Sequence, residues 1–416
     1  MLIVPQDSKR WVKFSLINLA IVALLGTIMR YKIGFALPFF EQKYLQEAHS
    51  HFAFTGWITH TLLFLVVDVF RSDLGTIHES RYRKLIIANL VMAYGMLFSF
   101  IVQGYGPVSI SFSTLSLIIS YVFTWFALKD AARLETGHPG KNWIKGALWF
   151  GIFSTLGTMV LSWMMATRHY DQTTYLGSIY FYLHFQYNGW FIFGCFGLFM
   201  SAIRQFPLIK KEITYPFILF TAAAIPAYFL STLWANIPSW LYVFVVIAAL
   251  LQAAGWFYFV RMINRHSNQL KATFNKTIRL LFLGVALAFT LKIFLQLGST
   301  IPHVSQLAYG FRPIVIAYLH LVLLLIISVF LLTFMFGKGL ISSNRSSKIA
   351  LIGFTVSAIL NEVALAIQGI FSFSYTVVPY MNEVLFLIAC MLLSSAALLA
   401  FSQVNTAGAD RNHSIS

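Results

Sequence analysis

Charge and cysteine are what this sequence has least of. Only 10% of its 416 residues are Asp, Glu, Lys or Arg, and just 13 are acidic. So little charge cannot solvate the surface of an ordinary globular domain, and with 59% hydrophobic residues and a mean hydropathy of +0.76 no such surface is expected. The two cysteines, Cys195 and Cys390, both stand inside apolar runs, which excludes a disulfide framework and a thiolate metal site. No Cys-x-x-Cys-His occurs, so covalent haem attachment through that motif is excluded too.

What the chain does have is long apolar runs. Stretches of spanning length lie near residues 12–30, 48–70, 83–104, 108–129, 143–166, 177–203, 213–234, 238–262, 276–298, 313–337, 348–371 and 379–403. They predict an all-α, polytopic bundle of twelve transmembrane helices in a lipid membrane, with residues 1–403 as a single transmembrane domain. The polar residues 404–416 read as a short disordered cytoplasmic tail. The first run is preceded by Lys9, Arg10 and Lys13 but has full spanning length and no convincing small-residue cleavage site. It reads as a retained helix.

The net charge of +16 is distributed as membrane topology requires, not as a nucleic-acid footprint. Arg71, Arg81, Arg83 and Lys84 fall in one connection, and Lys129, Arg133, Lys141 and Lys145 flank the next but one. Arg204, Lys210 and Lys211, then Arg261, Arg265, Lys271, Lys276 and Arg279, then Lys338, Arg345 and Lys348 continue the alternation. The positive-inside rule places both termini in the cytoplasm, the expected setting being a multi-pass protein of the cell inner membrane with no nucleic-acid partner.

Three segments repeat a histidine near the outer start of a helix, about a third of the chain apart: Ala48-His49-Ser50-His51-Phe52-Ala53-Phe54-Thr55-Gly56-Trp57, Tyr182-Leu183-His184-Phe185-Gln186-Tyr187-Asn188-Gly189-Trp190 and Tyr318-Leu319-His320-Leu321-Val322-Leu323. The first two share His-Phe-x-aromatic-x-Gly-Trp and the last two share Tyr-Leu-His. They mark an internal repeat, three four-helix units of about 12–129, 143–262 and 276–403 in pseudo-threefold arrangement. His49, His51, His184 and His320 then share one depth in the second, sixth and tenth helices.

Imidazole is costly in lipid, so four histidines at one level call for a metal, a haem or a polar network, although a single membrane histidine is as often a hydrogen-bonded packing residue. His49 and His51, two residues apart, point about 200° away from each other on a helix and serve different spaces. His60, deeper on the same helix, reads as a core histidine, and His303 as a solvated loop residue. Lys292, Gln296, Asn361 and Glu362 lie at membrane depth, where Lys292 and Glu362 suit either a buried pair or mutual satisfaction with their neighbours. Arg30, Lys32 and Arg312 stand near the outer level, suited to haem propionates or to interfacial anchoring.

The twelve helices, the threefold pattern and the histidine segments together resemble subunit I of the heme-copper oxidase superfamily, which includes cytochrome oxidases and nitric oxide reductases. The resemblance covers the whole chain in topology. It implies that His49 and His320 clamp a low-spin haem b, that His184 takes the place of the helix-six copper ligand, and that Tyr318 stands where a histidine would bind a high-spin haem. Residues 213–234 contain no histidine, so two of three copper ligands are missing and a standard haem-copper centre is not expected. His51 faces Tyr182 across a space that could take a second haem or a polar contact.

What the resemblance implies is a b-type haem oxidoreductase or electron-transfer protein with an incomplete active centre. Its partners would be a quinol or cytochrome donor, NO or O2, and accessory subunits. The His-x-His segment also resembles the membrane haem proteins of the nitric-oxide-response family. A transporter, or a non-haem metal site of His51, His184 and His320, are the alternatives outside haem chemistry.

Overall fold

The computed structural model describes residues 6–235 and 237–404, so the expected tail lies outside the described residues apart from Val404. Among the described residues the chain is helical with no strand. Ten helices among the described residues are long and apolar enough to cross a membrane, and a bent pair, taken as one span, makes an eleventh. In chain order the long helices are α1 (Gln6–Gly34), α2 (Gln42–Leu74), α3 (Glu79–Gln103), α4 (Pro107–Arg133), α5 (Lys141–Thr167), α6 (172–202), α7 (Lys210–Ala224), α8 (Ser239–Arg265), α9 (Lys276–Gly298), α10 (Arg312–Gly337), α11 (Arg345–Phe373) and α12 (Met381–Val404). Helix α6, expected as the sixth span, is helical throughout but carries Gln186, Tyr187 and Asn188 at its middle, and it is not among the ten. The expected seventh span is the bent pair: Pro226 has no N–H to continue α7, and the chain turns by 49° into a 3₁₀ segment, Pro226–Thr232.

Helix ends follow local chemistry. Asp171 caps α6 by accepting from the Thr174 N–H at 2.7 Å, Asn275 caps α9 through Ile278 N–H at 3.0 Å, and Asn344 caps α11 through Ser347 N–H at 2.7 Å. Gly104, at φ +59°, closes α3, where a Cβ would lie 2.4 Å from the Tyr44 ring.

The chain divides into two compact units. Unit 1 takes in the described residues up to Asp68, His78–Phe123 and those from Ser328 onward; unit 2 takes in Val69–Ile77 and Thr124–Ile327. In unit 1, α1 packs on α2 and on α12, where Thr27 donates to the Ala389 carbonyl at 3.1 Å. Leu45, Ala48 and Phe52 of α2 meet Ala93, Met96, Leu97 and Phe100 of α3 in one core cluster. In unit 2, α5 and α6 approach so closely that a Cβ on Gly157 would lie 2.5 Å from the Ser178 carbonyl oxygen, the small-residue packing that lipid favours. Phe196, Phe220, Trp256, Phe259 and Phe289 form an aromatic core joining α6, α7, α8 and α9. Outward side chains such as Phe98, Val102 and Trp125 are more than 60% exposed, as hydrocarbon solvent allows.

Candidate functional site

Each of the three histidine-bearing helices is interrupted by a π-helical turn next to its histidine. The turns are Ala53–Thr59 in α2, Phe185–Phe191 in α6 and Leu321–Ser328 in α10. His184 and His320 immediately precede theirs, and His49 and His51 precede theirs by a few residues. A π-turn withdraws carbonyls from the ordinary i→i+4 ladder, and such turns gather at functional sites.

In unit 1 two carbonyls of the α2 turn are met by amides from both sides. Asn18 of α1 donates to the Gly56 carbonyl at 2.5 Å, Asn89 of α3 donates to the Thr55 carbonyl at 3.2 Å, and Tyr94 donates to the Asn18 carboxamide oxygen at 2.7 Å. Lipid offers these carbonyls no partner, so the side chains hold the turn in place. Trp57 Nε1 also donates to Ser328 Oγ at 2.9 Å, a fully buried bond from α2 to α10. Trp57 is the eighth residue after His49, and Ser328 the eighth after His320.

His49 faces α1. Its Nδ1 lies 3.1 Å from the Val22 carbonyl oxygen, and its ring fills the space beside Gly26, where a Cβ would stand 3.4 Å from Cε1. His320 Nδ1 lies 2.8 Å from the Ile316 carbonyl oxygen. A carbonyl can only accept, so each ring donates from Nδ1 in this contact, as a metal-binding histidine does when a second group orients it.

The other histidines have different surroundings. His51 faces α3: its Nε2 is 2.8 Å from the Tyr105 hydroxyl, and its ring stacks on Phe100 with centroids 4.3 Å apart. His184 is buried with both nitrogens engaged. Nε2 donates to the Ala224 carbonyl at 2.9 Å, and Nδ1 accepts from the Asn188 amide at 3.2 Å. Ala224 ends α7 just before the Pro226 bend, so His184 satisfies a carbonyl that the bend deprives of its helical N–H. That is a structural task, and the sequence pattern that aligned His184 with the other histidines did not disclose it.

Tyr318 packs edge-on against Tyr187, with ring centroids 6.4 Å apart. Arg30 is half-buried on α1, Lys32 donates to the Leu37 carbonyl at 2.8 Å, and Arg312 is exposed at the first turn of α10. Lys292 is 1% exposed; its ammonium donates to Gln296 Oε1 at 2.8 Å and lies 5.2 Å from the centre of the Phe289 ring. Glu362 accepts from Asn361 at 3.1 Å. No group of three or more His, Cys, Asp or Glu side chains able to share a metal ion occurs among the described residues.

A feature missed in the sequence lies in the connections rich in basic residues. Asp73, in the last turn of α2, receives His138 Nε2 at 2.9 Å and pairs with Arg204. Glu212, in the first turn of α7, receives His266 Nε2 at 3.1 Å and Arg265 at 3.3 Å. Gln403 at the end of α12 accepts from the Ser342 N–H at 2.7 Å. Each tie joins the last turn of a histidine-bearing helix, or the region after it, to a segment further along the chain. Burial holds the His138 imidazole below its ordinary pKa, while nearby Glu135 pulls the other way.

No protein-family model matches this sequence, and no curated protein matches it.

Proposed function

We propose that the protein is an integral membrane b-type haem protein of the heme-copper oxidase subunit I type, with His49 and His320 as the axial ligands of one low-spin haem. The observation that carries this reading is the shared local arrangement of the two residues. Each has Nδ1 on a backbone carbonyl, each stands just before or within a few residues of a π-turn, and each is eight residues from one end of the Trp57–Ser328 hydrogen bond. Two imidazoles, each oriented by a backbone carbonyl at Nδ1, fit the donor set a low-spin haem takes.

Bound there, the haem would supply one-electron redox chemistry. The residues of the chain orient the two rings, through the carbonyls of Val22 and Ile316. His184 is committed to the α7 bend and residues 213–234 hold no histidine, so the proposal includes no standard copper site. Electron transfer is therefore favoured over reduction of NO or O2. Gas binding, as in the nitric-oxide-response proteins, would need one axial bond to open. The pseudo-threefold repeat belongs to the same proposal and is supported by the three π-turns and the three ties at the basic connections. So does a multi-pass inner-membrane setting with both termini in the cytoplasm, with a quinol or cytochrome as donor and accessory subunits as partners.

The test is a pyridine haemochrome assay with reduced-minus-oxidised spectra on protein purified in detergent. One haem b per chain is expected, lost in both His49→Ala and His320→Ala and kept in His51→Ala. Haem content unchanged in both single variants would sink the assignment. One observation favours a second reading, transport: α7 is broken at Pro226 and Lys292 is buried in the same unit, features of substrate sites in transporters. A colourless protein would promote it.

A further inference from the structure

Four buried polar atoms on three neighbouring helices of unit 1 have no hydrogen-bond partner among the described residues: Ser15 Oγ on α1, His60 Nδ1 and Nε2 on α2, and Asn89 Oδ1 on α3. All three residues are 0% exposed. Their nearness follows from contacts on either side. The Thr55 carbonyl accepts both the His60 backbone N–H and the Asn89 amide, so Asn89 stands beside His60. On the opposite flank the Trp11 ring meets the His60 ring edge-on at 5.9 Å between centroids. Ser15 comes one turn after Trp11 and about one turn before Asn18, which holds the Gly56 carbonyl one turn above His60. One face of α1, bearing Trp11, Ser15 and Asn18, therefore covers the face of α2 that bears Gly56 and His60. The Trp11 carbonyl lies near the imidazole but outside hydrogen-bonding geometry.

Leaving such atoms bare is something folded proteins avoid, and in hydrocarbon no solvent can relieve it. The kind of partner follows from the mixture of donors and acceptors. A neutral imidazole offers one N–H and one lone pair, the serine hydroxyl can do both, and the Asn89 oxygen only accepts. A cation would leave the imidazole N–H bare, and an anion would leave the Asn89 oxygen and the imidazole lone pair bare. Water donates and accepts, and a buried water makes about three such bonds.

We propose that Ser15, His60 and Asn89 form an internal hydration site that holds ordered water inside unit 1. It gives the interior of the protein an exchangeable proton on α2, eleven residues or about 16 Å along the helix from His49. This inference does not depend on haem being present.

The test uses the full chain in lipid nanodiscs with 15N-labelled histidine, reading magnetisation transfer from water to the ring nitrogens by solid-state NMR. His60 is identified through its bond to Thr61, since His-Thr occurs once in the sequence. The expected result is transfer to the His60 ring, weakened about twofold or more in Ser15→Ala and in Asn89→Leu, each of which removes one of about three partners of the water. A His60 ring that receives no transfer overturns the proposal, as does transfer indifferent to both substitutions. Ring signals that shift on titration with sodium would replace water by a cation and overturn it equally.

Discussion

Replacing Asn18 by leucine tests whether amides from neighbouring helices hold the π-turn of α2. The substitution keeps the volume and apolar character suited to a membrane helix but deletes the donor to the Gly56 carbonyl and the acceptor for the Tyr94 hydroxyl. A buried hydrogen bond contributes about 1 kcal/mol net in soluble proteins and about 0.6 kcal/mol between membrane helices, and stranding a buried carbonyl adds about 1–3 kcal/mol. The losses come to roughly 2–5 kcal/mol. For a chain of 416 residues each kcal/mol moves the melting temperature by roughly 1 °C, so Asn18→Leu is expected to melt about 2–5 °C lower. Tyr94→Phe, which removes only one of the two bonds, should show roughly a third of that loss. The assay is the fraction of detergent-solubilised protein that remains monodisperse after heating, followed by fluorescence-detected size exclusion. An Asn18→Leu protein that melts with the parent would refute the idea that side chains must satisfy the turn's carbonyls.

Gly157→Val forces a branched side chain against the Ser178 carbonyl and the Tyr182 N–H across α5 and α6; a loss of about 1–3 kcal/mol or failure to accumulate in the membrane is expected, and yield together with thermal stability would check it. Trp57→Phe removes the donor to Ser328 and should cost about 1–2 kcal/mol, with Ser328→Ala on the same background costing little more, a coupling that a double-mutant cycle measures. For His138 the sign follows from its lowered folded pKa. The unfolded chain binds the proton more readily, so this stabilisation is complete above the ordinary histidine value near 6.5 and declines as pH falls below it. His138→Gln should flatten that acid-side decline in a series of melts, and an unchanged pH dependence would contradict the linkage.

Much of the architecture is written in hydropathy. Runs of about twenty apolar residues have one stable answer in lipid, and ten of the expected runs emerge as long apolar helices near where the sequence put them. The exception is instructive. Residues 177–203 look like any other run until Gln186, Tyr187 and Asn188 are weighed as tertiary partners, with Gln186 bonding Ser154 and Asn188 bonding His184. The break at Pro226 has no counterpart among the expected spans, and the role of His184 in answering it needs the fold of α6 against α7. The same holds for Asn18 and Asn89, which stand out as polar residues in apolar runs yet show no partner until three helices are packed. The orientation of the His49 and His320 rings was also beyond the sequence, because it is set by carbonyls of Val22 and Ile316 and not by any motif.

The π-turns have a consequence for how the helices can change. A π-turn is one residue longer than the α-turn it replaces, so removing a single residue from Ala53–Thr59 would restore an unbroken α-helix. The wide turn absorbs the extra residue, so the two halves of the helix would keep their facing and His49 would stay beside Val22. Compared with an unbroken α-helix of the same residues, the extra residue therefore offsets the part bearing His49 by about 100° from the part bearing His60. With such a residue in each of α2, α6 and α10, the histidine-bearing ends of these helices can be aimed independently of the packing that anchors their other ends.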